Sequence, residues 1–185
     1  MNPANPGSYG KLLASIENTL AEIEKSDIPE LNAGPDSFSE WIKQPEAIEV
    51  GWGWMKTATG DQVIFTRHMS NCSAIVLCTH VDEQTGIYAE RSLMHILGSW
   101  VGDSEGVEKS LDLINKASES GGKPRCIIAL GSEVTAEHFA TIANQEVKTS
   151  QGKVLKPFVV LQELCDTVIL EKKNSIAVRP DGAYT

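Results

Sequence analysis

The chain has 185 residues, 41% of them hydrophobic and 22% charged, which is ordinary for one folded domain with a sizeable core. Its 16 Lys and Arg against 25 Asp and Glu give a formal net charge of −9, which repels phosphate and excludes nucleic acids and anionic membrane surfaces as expected partners. No apolar run has the roughly 20 residues of a membrane span, and no basic and apolar leader is present, so we expect no membrane insertion. The expected compartment is the cytoplasm, or the exterior by a route without a recognisable signal.

The first 47 residues predict an N-terminal helix and a connector. Apolar residues recur at helical spacing from Leu12 to Ile23, and Pro29 follows the predicted end of that helix. Residues 29–47 hold three prolines and indicate a connector with one short helix.

Residues 48–185 predict the main body, which we expect to be catalytic and to form one compact unit with the N-terminal segment. Strands are expected at 48–57 and 61–68, separated by a turn at 58–61, then at 73–81 and, after a turn at 82–86, from 87 onwards. Further strands are expected at 125–130, 156–162, 166–170 and 174–179, of which the last two form a terminal hairpin. Its helices are expected at 107–120 and from 135 to about 147. The predicted fold class is α/β or α+β, with a mixed β-sheet core covered by helices and an extra N-terminal helix.

The four cysteines lie at positions 72, 78, 126 and 165, without a CxxC pair or a zinc-ligand spacing. Without a secretory signal, free thiols are a better expectation than two disulfides. The sequence therefore predicts no metal and no cofactor.

Cys72 lies where the polar stretch 66–71 meets an apolar strand, a position that holds a side chain rigidly and leaves it reachable. His95 follows after one strand and a turn, so both side chains are expected at the same end of the sheet. A thiol beside a histidine is a nucleophile with its base. On periodicity alone, however, a cysteine beside a buried strand is more often a small core residue, and His95 resembles a hydrogen-bonded core histidine.

Residues 63–99, VIFTRHMSNCSAIVLCTHVDEQTGIYAERSLMHILGS, resemble the active-site region of the chemotaxis receptor glutamine deamidases, the CheD family. The shared features are a threonine six residues before the cysteine, a second cysteine in the strand, a glycine turn, and a histidine in the following apolar segment. In this chain they are Thr66, Cys72, Cys78, Gly86 and His95. The likeness extends more weakly over residues 60–182. That family shares its catalytic architecture with toxins of the cytotoxic necrotizing factor type, which also deamidate glutamine.

The resemblance implies a bacterial, cysteine-dependent hydrolase that deamidates glutamine side chains on a protein partner and needs no cofactor. Cys72 would attack the amide carbon, His95 would act as general acid and base, and Thr66 would orient the site or hydrogen-bond His95. The two catalytic side chains are then expected within hydrogen-bond reach of each other. The backbone near Cys72 would hold the oxyanion, and the residues assigned to the oxyanion and substrate are Asn71, Ser70 and Ser73.

Other interpretations of the same residues stay open. His68, in the turn beside Cys72, can replace His95 as the base. The chain can be an inactive adaptor of the same fold that binds a partner protein, or a cysteine protease or acyl transferase that uses the same pair. Cys78, six residues after Cys72, is expected on the same strand face as a buried thiol. Trp52, Trp54 and Trp100 either line a substrate cleft or pack in the core.

Overall fold

The computed structural model describes residues 37–98, 104–120, 123–131, 139, 141–142, 144–170 and 174–185. The helices are α1 (Ser37–Trp41), α2 (Ser104–Glu119) and α3 (Pro157–Leu164). The strands are β1 (Ile48–Glu49), β2 (Met55–Thr59), β3 (Ile64–Thr66), β4 (Cys72–Asp82), β5 (Ile87–Leu97), β6 (Arg125–Leu130), β7 (Val147–Lys148), β8 (Val154–Leu155), β9 (Cys165–Ile169) and β10 (Ile176–Val178).

A mixed five-stranded sheet in the order β2-β5-β4-β6-β9 forms the centre of the fold. Strand β4 is antiparallel to both β5 and β6, and β6 is parallel to β9. A second sheet has the order β1-β3-β10, and β7 pairs with β8. The protein therefore has an α+β fold with a sheet core, as the sequence predicts.

The two faces of the five-stranded sheet are buried against different layers. On one face, Ile75, Met94 and Ile128 pack against α2 and α3. On the other face, Val76 and Leu93 pack against the three-stranded sheet. Because side chains alternate along a strand, burial on both faces explains why the central strands are almost continuously apolar in sequence. Helix α1 covers the outer side of the three-stranded sheet.

Several predicted elements are confirmed within a residue or a few of their predicted bounds. They are the short connector helix (α1), the strand at 73–81 (β4), the return strand from 87 (β5), the helix at 107–120 (α2), and the strands at 125–130 (β6) and 166–170 (β9). The predicted N-terminal helix and most of the helix from 135 lie outside the described residues. Val147 was expected to end that helix and is instead in strand β7. Among the described residues, no helix is long and apolar enough to cross a membrane.

The strands expected at 48–57 and 61–68 have other bounds than predicted and belong to different sheets. A turn at 51–54 divides the predicted strand 48–57 into β1 and β2. Strands β2 and β3 do not form a hairpin, because β2 pairs with β5 whereas β3 pairs with β1 and β10. The turn between β2 and β3 therefore connects two sheets.

Two predictions near the C-terminus are also wrong. Residues 157–164 form helix α3, although the β-branched Val159 and Val160 favour a strand. Pro157 takes the first helical position, where its missing N–H leaves no hydrogen bond unmade. The last strand, β10, pairs antiparallel with β3 and not with β9, so no terminal hairpin forms.

Candidate functional site

Three strand ends meet at one end of the molecule, between the two sheets. Thr66 ends β3, Cys72 begins β4, and His95 lies two residues before the end of β5. His95 is directly opposite Ala74 in the β4–β5 pair, and Cys72 is opposite Leu97. Because alternate residues of a strand share a face, Cys72 and His95 lie on the same face and are diagonal neighbours. The fold thus brings together residues 66, 72 and 95.

A short chain of hydrogen bonds fixes the His95 ring. The Thr66 Oγ1 lies 2.7 Å from His95 Nδ1 and 2.7 Å from the carbonyl oxygen of Val50. The carbonyl can only accept, so it takes the single hydroxyl proton of Thr66. The Thr66 oxygen then accepts from His95, which requires the proton of the neutral ring to be on Nδ1. The lone pair is therefore on Nε2, the nitrogen that a general base uses.

Burial keeps this imidazole neutral. His95 is 0% exposed. Burial lowers the pKa of His95 from 6.5 to about 4, and the nearby charge of His68 acts in the same direction. His95 Nε2 is buried, and no group in the described part of the chain hydrogen-bonds to it. An unsatisfied buried acceptor costs about 1–3 kcal/mol, so packing alone does not explain this one.

Cys72 is a free, partly buried thiol at the first position of β4. Its sulfur does not hydrogen-bond to His95 Nε2, so the expected contact between thiol and imidazole is not formed in this structure. Diagonal neighbours in an antiparallel pair are about 7–8 Å apart at Cα, a separation that side chains of this size do not always bridge. The candidate pair, Cys72 and His95, therefore shares one face of the sheet but is not hydrogen-bonded.

The turn before Cys72 is held by its own backbone. The amide of Cys72 donates to the carbonyl oxygen of Met69 at 3.1 Å, and the amide of Met69 donates to that of Asn174 at 2.8 Å. His68 has a φ of 61°, a left-handed conformation that is uncommon outside glycine. The Cys72 amide, expected to hold an oxyanion, is thus occupied in this structure.

Gly131, directly after β6, lies against the same turn, and the sequence interpretation did not single it out. A Cβ at this position would lie 2.0 Å from the Met69 carbonyl oxygen and 2.1 Å from that of Cys72. Only glycine permits so close an approach of two carbonyl oxygens.

The residues predicted to bind the oxyanion and substrate have different positions. Ser70 and Asn71 are exposed in the turn beside Cys72. Ser73 is buried, and as the neighbour of Cys72 in β4 it faces the opposite side of the sheet, towards the helices. The side chain of Ser73 is therefore excluded from the site, because strand alternation directs it away.

The two other side chains considered near Cys72 are also located by the structure. His68 is exposed in the turn before Cys72, and it is the second cause, after burial, of the lowered pKa of His95. Cys78 lies on the same strand face as Cys72, as expected, and is fully buried. Burial raises the pKa of the Cys78 thiol to about 12, so it stays protonated and is no nucleophile.

A turn and a β-bulge support the backbone of His95, and the sequence interpretation missed both. The Trp54 amide donates to the Gly51 carbonyl at 3.1 Å, which closes a turn, and Gly53 has a φ of 73°. The Gly53 amide then donates to the His95 carbonyl at 3.2 Å, and the His95 amide donates to the Trp54 carbonyl at 3.0 Å. Gly53 and Trp54 are thus both opposite His95, which makes a β-bulge of the type that requires glycine in its first position. The signal available in the sequence was the motif Gly-Trp-Gly-Trp at 51–54.

Among the described residues, no group of three or more His, Cys, Asp or Glu side chains is arranged to hold a metal ion. No protein-family profile matches the chain, and no curated protein matches it. The geometry of residues 50–54, 66–72, 95 and 131 is therefore the basis for assigning a function.

Proposed function

We propose that this protein is a cysteine-dependent amide hydrolase that deamidates glutamine side chains on a target protein. Cys72 is the nucleophile, His95 the general acid and base, and Thr66 the residue that positions His95. The observation that carries the proposal is the buried, unpartnered Nε2 of a ring whose tautomer Thr66 and Val50 set. A buried imidazole with a free lone pair, on the same sheet face as a partly exposed thiol, supports general-base activation of a nucleophile.

The proposed chemistry takes place in two halves. His95 Nε2 accepts the thiol proton as Cys72 Sγ attacks the amide carbon, and the protonated ring then gives that proton to the leaving nitrogen. Ammonia departs, and a thioester joins Cys72 to the former glutamine. In the second half His95 takes a proton from water, the hydroxide attacks the thioester, and the proton returns to the sulfur. The target carries glutamate, with one more negative charge.

Because His95 is neutral at pH 7, the resting ring carries no positive charge that would stabilise a thiolate. Proton transfer therefore accompanies attack, and the substrate amide must bring the two groups into reach. The oxyanion donors must also come from groups other than the Cys72 amide, unless that amide leaves Met69.

The proposed setting is the cytoplasm, where a free thiol such as Cys72 stays reduced. The proposed partner is a protein with an accessible glutamine, as in the bacterial chemotaxis family that the sequence resembles. The net charge of −9 favours a target surface that is neutral or basic, because like charges slow encounter.

The experiment is a measurement of ammonia release from an unfolded casein and from free glutamine at equal glutamine concentration. The wild-type chain is expected to release ammonia from casein at least about tenfold faster, because remote contacts supply orientation. Cys72→Ser should abolish release, and Cys78→Ser, a matched change at a buried thiol, should retain it. Equal rates on casein and on free glutamine would indicate a small-molecule amidase. Retained activity in Cys72→Ser would exclude this nucleophile.

The inactive adaptor is the second candidate, and one observation favours it: the thiol and the imidazole are not hydrogen-bonded, although both are in place. Iodoacetamide separates the two. In an enzyme, alkylation of Cys72 and loss of ammonia release proceed at the same rate. In an adaptor, the protein releases no ammonia before or after alkylation.

A further inference from the structure

A cavity of about 310 Å³ lies on the helix side of the five-stranded sheet. Its lining comes from three places in the chain: residues 53–55 at the start of β2, Ser92 and Met94 of β5, and one side of α2 from Lys109 to Lys116. This volume is at the lower end of the range typical of ligand sites. The candidate catalytic residues do not line it, but Gly53 and Trp54, which hydrogen-bond the His95 backbone, do.

The cavity has an apolar interior and a rim of mixed charge. Trp54, Met55, Met94 and Leu113 supply the apolar surface. Lys109 is paired with Glu105 at 2.7 Å and Lys116 with Glu90 at 3.5 Å, and Asp112 lies between the two lysines on the helix. Because both rim lysines have acidic partners, the rim discriminates only weakly between ligands of different charge. The apolar interior therefore dominates ligand recognition.

Two residues of the cavity wall are more exposed than core residues of their type. Trp54 is 67% exposed and Met55 is 53% exposed. Aromatic side chains and methionine are enriched at protein interfaces, where a few of them supply most of the binding free energy. An exposed tryptophan beside a preformed apolar cavity is thus a surface suited to a protein partner.

The cavity is joined directly to the catalytic end of the sheet. Trp54 contributes to its wall, and the same residue is the second position of the bulge that hydrogen-bonds the His95 backbone. Met94, in the wall, precedes His95 in β5 and faces the opposite side of the sheet. The cavity and Cys72 thus lie on opposite faces at the same end of the sheet, so a bound segment that contacts both must cross that end.

Strand β2 offers such a segment a place to bind. It is the edge strand of the five-stranded sheet, and within the described residues no strand pairs with its outer side. Alternate main-chain groups of an edge strand point outwards and can pair with an extended peptide. A peptide bound there presents every second side chain to the face that contains the cavity.

We propose that this cavity is a subsite for an apolar side chain, aromatic or large aliphatic, on an extended segment of the target protein. The inference rests on the proposed function, because it assigns the cavity to the target whose glutamine reaches Cys72. It defines the substrate as a protein segment with an apolar anchor near the glutamine, bound along β2 and across the Gly53–Trp54 bulge.

The test uses the full chain with ¹³C-labelled methionine methyl groups and N-acetyl-phenylalaninamide as the probe. The Met55 and Met94 signals should shift saturably, with a dissociation constant on the order of 1 mM. Met69, buried on the other face of the sheet, is the internal control and should not shift. Absence of shifts at Met55 and Met94, or equal shifts at Met69, would overturn the proposal. N-acetyl-phenylalanine, the same probe with a carboxylate in place of the amide, would identify a small-acid site and overturn the proposal too if it bound at least about tenfold more tightly.

Matched tryptophan variants test the wall. Trp54→Ala should weaken probe binding at least about tenfold, as expected for an aromatic anchor. Trp52→Ala, which removes a neighbouring tryptophan that is 64% exposed and outside the wall, should change it less than about twofold. Equal weakening by both would contradict the proposal. An unchanged Met69 signal shows that each variant is folded. Met55→Ala is a second variant of the cavity wall and should also weaken probe binding. Probe binding requires no turnover, so the two proposals are tested separately. The probe can fail to bind in a protein that releases ammonia, and it can bind to a protein that releases none.

Discussion

The single hydroxyl proton of Thr66 decides which nitrogen of His95 can act as a base. The Val50 carbonyl accepts that proton, so Thr66 can receive a hydrogen bond from Nδ1 but cannot donate one to it. In the proposed reaction the threonine is therefore a positioning residue, which would act through the tautomer of the histidine.

Replacement of this threonine is the first prediction. Thr66→Val removes the acceptor for the Nδ1 proton, and we expect ammonia release to fall about 100-fold or more, the usual contribution of a general base. Histidine ¹⁵N NMR should show a mixture of tautomers at His95. Thr79→Val is the matched control, because Thr79 is also buried and also hydrogen-bonds a histidine ring, that of His80. Loss of activity in both variants alike would argue against a specific role of Thr66.

The lowered pKa of His95 predicts a dependence of stability on pH. The folded pKa of about 4 lies below the ordinary value of 6.5, so the unfolded chain binds the proton more tightly. The contribution to stability is complete above pH 6.5 and is lost as the pH falls through 4, by up to roughly 3 kcal/mol. Urea denaturation at pH 7 and pH 4.5 should show a larger decrease for the wild type than for His95→Asn. An equal decrease in the two proteins would show that His95 does not titrate in this window.

The turn and bulge at residues 51–54 form the element on which the orientation of His95 depends. Both rest on the left-handed conformation of Gly53, with its φ of 73°. An alanine in that conformation is strained by about 1–2 kcal/mol.

Gly53→Ala and Gly86→Ala therefore form a matched pair. Gly86 has a φ of 71° in a turn, and a Cβ there would meet nothing within 4 Å. We expect both variants to lose about 1–2 kcal/mol of unfolding free energy, measured by urea denaturation. Only Gly53→Ala should also lower ammonia release, because it displaces the backbone partners of His95. Full ammonia release by Gly53→Ala would show that the bulge is not needed to orient His95.

Elements whose local pattern agrees with their tertiary environment were predictable from sequence. Strands β4 and β6 and helix α2 belong to this group, since their apolar periodicity reports burial directly. Helix α3 was not predictable, because its β-branched residues favour a strand and packing against the sheet outweighs that preference. The partner of β10 was not predictable either, since sheet pairing between distant segments leaves no local signal.

At the scale of the whole molecule, the site exists because two sheets pack face to face. Thr66 comes from the small sheet, whereas Cys72 and His95 come from the large one. The resemblance to a deamidase family selected all three residues, and the strand register places two of them on one face. The Val50 carbonyl, Gly131 and the bulge lay beyond such reasoning, because backbone contacts across sheets depend on the tertiary fold.

Analysis of the product by mass spectrometry tests the central claim most directly. Casein incubated with the wild-type chain and then digested should contain glutamine residues that are heavier by about one dalton, the mass change of an amide that becomes an acid through a cysteine thioester. Cys72→Ser and His95→Asn should leave those residues unchanged, and Cys78→Ser should modify them. New chain ends in casein, or unmodified glutamine with every variant, would contradict a protein-glutamine deamidase built on Cys72 and His95.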